Sequence, residues 1–339
     1  MRKQTLKNFA LSLVLLGVSL IPSPSIAQVR ASSKLPGKRA VSSAAQAPNR
    51  QTQTPGSPSY TYTLLNFPGT LFTQAGGINP GATTSKTEIV GGYGPLVEIN
   101  QGGFLARVSG KKTVVETYKA VNYPHGTQQY AAGVNDSGQI VGVYLDSSDA
   151  FHGYELNGAK FTTLNVPFVG ATGTIPSGIN NAGEVVGSWL DSDDNGHSFM
   201  LIGGTYTSFD YPGAIETDAI GVNSAGEIAG QYQDASGVWH GFLLSGGTFT
   251  SFDFPGAVGT GAEGINDAGN IVGWYCTTAE CLSASGEGQQ GFLLNGAAFT
   301  TIDIPGEFYT QLIGINNNGV IVGFYQDAAG LIVGFMATP

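Results

Sequence analysis

From residue 60 onward, short runs of alternating apolar and polar residues follow one another, and no window holds a 3.6-residue apolar period. The stretch 249–254, for example, alternates aromatic and polar side chains. Alternation over four to eight residues, bounded by Gly, Asn and Asp, predicts strands rather than helices. In 217–255 the pattern predicts four strands, at 217–223, 227–232, 240–244 and 249–254.

That stretch is one of six copies. Ile/Val-Asn recurs at Asn79, Asn135, Asn180, Asn223, Asn266 and Asn316. Asn/Asp-x-Pro recurs from Asn66 to Asp303, Gly-x-aromatic from Gly91 to Gly323, and a small residue followed by an aromatic from Gly103-Phe104 to Gly334-Phe335. Asn-x-x-Gly turns predict a hairpin between the first and second strands, and glycine pairs such as Gly246-Gly247 one between the third and fourth. A longer Asp-containing hairpin joins the second to the third. Only the passage from a fourth strand to the next first strand lacks a tight hairpin, so it is the step between sheets.

The copies are out of frame with the chain, which opens on a lone fourth strand at 60–67 and closes on a lone third strand at 331–336. Pairing these two completes six sheets and closes a ring. The expected fold is all-β: a six-bladed β-propeller of four-stranded blades, its last blade 310–336 completed by the N-terminal strand 60–67. A linear solenoid would need polar caps, and neither end has one.

Residues 1–27 read as a signal peptide: Arg2, Lys3 and Lys7, an apolar run at 9–21, and a small-x-small site at Ser25-Ile26-Ala27. The chain is therefore expected to be secreted, periplasmic or extracellular. No later run approaches a membrane span, so no transmembrane anchor is expected in the mature chain. Residues 28–59 hold five basic residues, no acid and almost no large apolar content, and read as a disordered linker. It is either a solvated spacer or a basic tail for an anionic surface. Residues 60–339 form the six-repeat domain, expected to be monomeric.

Charge narrows the partners. The domain has six Lys and Arg against twenty-four Asp and Glu, a net charge of −18, and no Lys or Arg from Phe161 to Pro339. Phosphate contacts come mainly from Lys and Arg, which excludes nucleic acid as a natural partner. A sialidase-type site fails too, with Arg107 the domain's one arginine. Cys276 and Cys281 share one insertion in the fifth copy and predict a local disulfide.

Three groups of residues could carry chemistry. Asp191, Asp193 and Asn195 open a D-x-D-x-N-G run that suits a calcium loop, although Ile202 stands where a calcium hand has its bidentate Glu. The sister hairpins are Asp/Gly turns without that spacing, which leaves an acidic turn as the alternative. No other cofactor is implied. His152, His197 and His240 are repeat-equivalent; they lie in different blades and are expected to make local bonds rather than one metal site. Thr73, Gln129, Thr174, Thr217, Thr260 and Thr310 open the inner strands and are expected either to ring the funnel mouth or to close turns. Beside them stand Tyr130, Asp218, Glu263, Glu307, Phe308 and Tyr309, a mixture of carboxylates and rings that suits glycan binding. No Ser-His-Asp signature, phosphate loop or zinc spacing is present, so no catalytic residue can be named.

The motifs GVNDSGQIVGVY…FHGY, GINNAGEVVGSW…GHSF and GVNSAGEIAGQY…WHGF resemble the HAF-type extracellular repeat of bacterial secreted proteins, across all of 60–339. Three copies depart from it, with Gly102, Gln290 and Val333 at the histidine position. The resemblance implies export and a propeller-like repeat; it brings no activity and no catalytic residues. The function expected is a secreted or surface module binding glycan or protein through the funnel. The alternatives are a glycan-active hydrolase or lyase using funnel carboxylates, and a structural matrix protein.

Overall fold

A computed structural model describes residues 59–81, 86–95, 102–109, 115–282, 288–304, 306–307 and 309–339. The expected signal peptide, nearly all of the linker, and Phe308 lie outside them. Among the described residues, twenty-four strands form six four-stranded antiparallel sheets, with one 3-10 turn at Ala279–Leu282. Blades 1 to 5 span 72–121, 129–164, 173–209, 216–252 and 259–302. Blade 6 takes 309–338 from the end of the chain and β1 (Thr61–Leu65) from its start, with Tyr62 facing Ala337 and Leu65 facing Gly334. First strands of successive blades touch around the ring, and blade 6 touches blade 1. The fold is a six-bladed β-propeller closed as the repeat frame requires.

In blade 4 the strands run Glu216–Val222, Ile228–Gln233, Trp239–Ser245 and Thr248–Phe252, within two residues of expectation at every boundary. Strand direction gives the ring two faces. The Asn-x-x-Gly turns and the third-to-fourth hairpins lie on one, the Asn-turn face. The Asp hairpins and the passages between blades lie on the other, the crossover face.

The aromatic of the small-aromatic pair is the wedge of the core. Phe104, Tyr154, Phe199, Phe242, Phe292 and Phe335 are all fully buried. Each such burial contributes about 1.5–3 kcal/mol. Phe104 packs with Leu65, Met336 and Val322 of blade 6 as well as with its own blade, so one ring binds two sheets. It lies under the glycine of the Gly-x-aromatic anchor: a Cβ on Gly91 would be 2.0 Å from the Gln74 carbonyl oxygen and 2.8 Å from the Phe104 ring. The same carbonyl approach recurs at Gly142, Gly187, Gly230, Gly273 and Gly323, at 2.0–2.2 Å. No side chain fits there, which is why the residue recurs.

The repeat asparagine joins the blades. Asn180 Oδ1 accepts from the backbone N–H of Ala182 and of Glu184, shaping its own turn. Its Nδ2 donates at 3.0 Å to the Asn223 carbonyl of the next blade. Asn135, Asn223 and Asn266 repeat this step to Asn180, Asn266 and Asn316. The relay stops at blade 6, where Asn316 Nδ2 is buried without a partner. There the next turn reads Asn79-Pro80-Gly81 in place of Asn-x-x-Gly.

Candidate functional site

The structure divides the expected funnel residues into two groups. Thr73, Thr174, Thr217, Thr260 and Thr310 are buried, and each hydroxyl accepts from the backbone N–H of the residue before the crossover proline. Gln129 does the same for Tyr123. These six close the crossovers. The signal was visible in their strict recurrence, since a turn needs the same residue in every copy.

The residue that follows them varies from blade to blade, and the residue three positions after each of the six lines the axial channel. Each first strand carries a β-bulge just before its axial glycine, at Gly76, Ala132, Ser177, Ile220, Glu263 and Ile313. A bulge bends its strand and re-aims a side chain, and all six bulged residues line the axial channel. The axial glycines let neighbouring strands meet: a Cβ on Gly77 would stand 2.4 Å from the Ala132 carbonyl oxygen, and one on Gly178 2.5 Å from that of Ile220. The alternation in the first strand gives no warning of the bulge, and this hid the channel lining from sequence reading.

Tyr130 and Asp218 share one electrostatic cluster with the bulged Glu263. Ser188 Oγ donates to Asp218 Oδ1 at 2.7 Å, and Gln231 Nε2 to Asp218 Oδ2 at 3.4 Å. Gln311 Nε2 donates to Glu263 Oε1 at 3.0 Å. Burial pushes the Glu263 carboxyl up to about 8; the Gln311 bond opposes the shift and the charge of Asp218 adds to it. Burial also raises Asp218, and it raises Glu216 to about 8 with help from Asp218. Tyr130 is raised by burial and by Glu263. The side-chain oxygens of Gln74, Gln231 and Gln311 and the Tyr309 hydroxyl are buried without partners. Tyr309 packs with Phe72, Phe324 and Ile332. Glu307 sits apart on a crossover, its carboxyl raised by partial burial and then by Asp327.

On the crossover face each repeat histidine is clamped inside its own blade. His240 Nδ1 lies 2.9 Å from Asp253 and its Nε2 3.5 Å from Asp234. His197 stands likewise between Asp210 at 2.8 Å and Asp191 at 3.5 Å, and His152 between Asn165 and Asp146. Each ring stacks on its blade's Tyr144, Trp189 or Tyr232. The three histidines tie the Asp hairpin to the fourth strand and do not meet.

The Asp191 hairpin has the geometry of its sisters. Asp191 Oδ1 accepts from the N–H of Asp193 and of Asn195, and Oδ2 from Asn195 Nδ2. Asp146, Asp234 and Asp327 accept from the same two backbone positions. Burial works against the Asp191 carboxylate, but these bonds and that of His197 hold it below the usual range. The turn accounts for Asp191, which all four hairpins share; the side chains of Asp193 and Asn195 differ from those of the sister turns. Among the described residues no group of three or more His, Cys, Asp or Glu is arranged to hold a metal. Cys276 and Cys281 form the expected disulfide.

Two further features of the crossover face were not legible in the sequence. Among the described residues, the non-glycine residues with positive φ are His125, Asp149 and Asp194, at 73°, 60° and 66°, all on this face. Glycine takes the place of His125 at Gly69, Gly213 and Gly256, and of the two aspartates at Gly237 and Gly330. In addition, Leu71, Val169, Ile215 and Val258 stand exposed on the crossovers.

No protein-family model matches the chain, and no curated protein matches it. Among solved structures it is similar to the Aleuria aurantia lectin, a six-bladed propeller described with a fucose recognition mode, at 13% identity and TM-score 0.50, covering 78% of this chain and 91% of that one. It is also similar to AofleA from Arthrobotrys oligospora, at 10% identity and TM-score 0.51, covering 84% and 88%. At these identities the likeness is one of fold.

Proposed function

We propose that this is an exported carbohydrate-binding propeller whose crossover face is the recognition surface. The observation that carries the reading is the placement of His125, Asp149 and Asp194 where sister blades have glycine. A side chain held at positive φ costs stability that glycine avoids, and such residues gather where function needs the side chain. The same face carries carboxylates and the exposed Leu71, Ile215 and Val258, groups that suit the hydroxyls and C–H faces of a neutral sugar. The absence of Lys and Arg beyond Lys160 disfavours anionic ligands. Repetition around the ring suits several weak contacts with one branched or clustered glycan. The fucose recognition stated for the Aleuria aurantia lectin agrees with the class of ligand; the sugar itself is not transferred.

The test is binding of the purified chain to a glycan array, with and without calcium, beside variants carrying His125→Gly, Asp149→Gly or Asp194→Gly. Each variant should keep its stability or gain up to about 1 kcal/mol, while glycan binding falls several-fold. Unchanged binding in all three would end the reading. Loss of binding in EDTA would return a calcium ion to the Asp191 hairpin. Release of reducing sugar would instead favour a hydrolase, for which the protonated Glu216 and Glu263 are the available acids.

A further inference from the structure

A second site lies on the opposite face and does not depend on the glycan reading. The axis holds a cavity of about 70 Å³. Residues of the Asn turns, among them Asp267 and Asn317, belong to its lining, so it is entered from the Asn-turn face. Below that rim the lining takes one aliphatic residue from each blade, Ile78, Val134, Ile179, Val222, Ile265 and Ile315, together with the axial glycines and Ser177. Past this collar lies Glu263, whose carboxyl belongs to the electrostatic cluster.

The inner end of this cavity carries the Glu263 carboxyl. Gln311, fully buried, directs its NH2 group to the Glu263 carboxyl and leaves its own oxygen without a partner. A buried acceptor left unpaired is costly, and so is a buried carboxyl without a counter-charge. A ligand that reaches Glu263 from this face is favoured by N–H donors at its tip, by a positive charge once the carboxyl ionises, and by an apolar stem beside the aliphatic residues. A hydrated metal ion suits such a collar poorly. A planar guanidinium is broad for the volume. An ammonium on an unbranched alkyl stem matches both parts: methylenes against the collar, three donors at its tip.

We infer that the axial cavity receives a primary ammonium on a straight aliphatic stem, with Glu263 as its counter-charge. The source is a lysine side chain of a partner or a free diamine, and the two share this chemistry. The groups facing Glu263 are Asp218 from blade 4, Tyr130 from blade 2, Gln311 from blade 6 and Trp274 from its own blade. None of them is cationic.

Calorimetric titration of the full chain tests this, with 1,5-diaminopentane and Nα-acetyl-lysine methylamide as probes and 1-pentanol as control. Both amines should bind at one per chain, with 1-pentanol at least tenfold weaker. Because Glu263 is protonated in the empty cavity near neutrality, binding should release a proton and tighten as pH rises from 6 to about 8. Equal binding of the lysine derivative points to a partner's lysine; binding of the diamine alone points to a free diamine. Glu263→Gln should weaken binding at least tenfold. Ser177→Leu, which fills the channel without touching the carboxyl, should block it as well. Absence of amine binding, binding indifferent to both variants, or calcium binding that needs Glu263 and excludes the amine would each overturn the proposal.

Discussion

The two ends of the inner strands obey different rules. At the Asn-turn end, five of six blades use the same side chain in the same way. Asparagine shapes its turn there and, in blades 2 to 5, reaches the next blade's carbonyl. At the other end, the residue after the recurring threonine or glutamine changes from blade to blade, through Gln74, Tyr130, Ile175, Asp218, Gly261 and Gln311. Six copies in one chain thus act as an internal comparison. Sameness across the copies marks what holds the ring, and difference marks what the ring is free to use.

The largest test of the frame is to remove β1. A chain lacking 61–65 leaves blade 6 with three strands and the outer edge of 332–338 unpaired, and an edge of that kind invites pairing with other chains. It should lose its cooperative thermal transition and aggregate, as seen by calorimetry and light scattering. A native-like melt would show that closure by β1 is dispensable.

Next comes the relay. Asn180→Ala removes the bond to blade 4 and orphans two turn N–H groups, and should cost roughly 3–4 kcal/mol in chemical denaturation. Asn316→Ala removes the same turn bonds but no satisfied inter-blade bond. It should cost about 1 kcal/mol less. Equal losses would mean that the asparagine matters only to its own turn.

The variable end should declare itself through pH. Glu263 has a folded value of about 8, above the ordinary 4.5, so between those values the folded chain holds a proton that the unfolded chain has released. Stability from this group is fully present below about pH 4.5 and is lost as pH rises toward 8. Glu216 adds to the same slope. The melting temperature should fall from pH 5 to pH 8, and Glu263→Gln should flatten that fall. A wild-type profile that stays level would place the carboxyl in water.

The smallest effect belongs to the histidine clamps. His240→Ala breaks partly exposed contacts to Asp234 and Asp253 and should cost under about 1 kcal/mol. A larger loss would move the clamps into the frame.

Blade number, strand positions and ring closure were legible because turn residues and alternation recur six times in one register. The disulfide was legible because two cysteines share one short insertion. Within the site, the carboxylate-and-ring mixture at Tyr130, Asp218 and Glu263 was legible, and these three do share a cluster. What hid the rest was local backbone geometry. One bulged residue per inner strand decides which side chain enters the channel, and nothing in Ala262-Glu263-Gly264 separates a bulge from a regular strand. The recurring threonines close the crossovers, one of the two roles their position suggested.

The closure of blade 6 also sets an order of events in synthesis. Tyr62 must find Ala337, so the strand made first waits for nearly the whole domain before its partner exists. Blades 1 to 5 can pair their strands as they emerge, but the ring cannot shut until residues 332–338 have emerged. During that interval β1 is an unpaired strand facing the surroundings, and this is when the protein is most exposed to chaperones, proteases and other copies of itself.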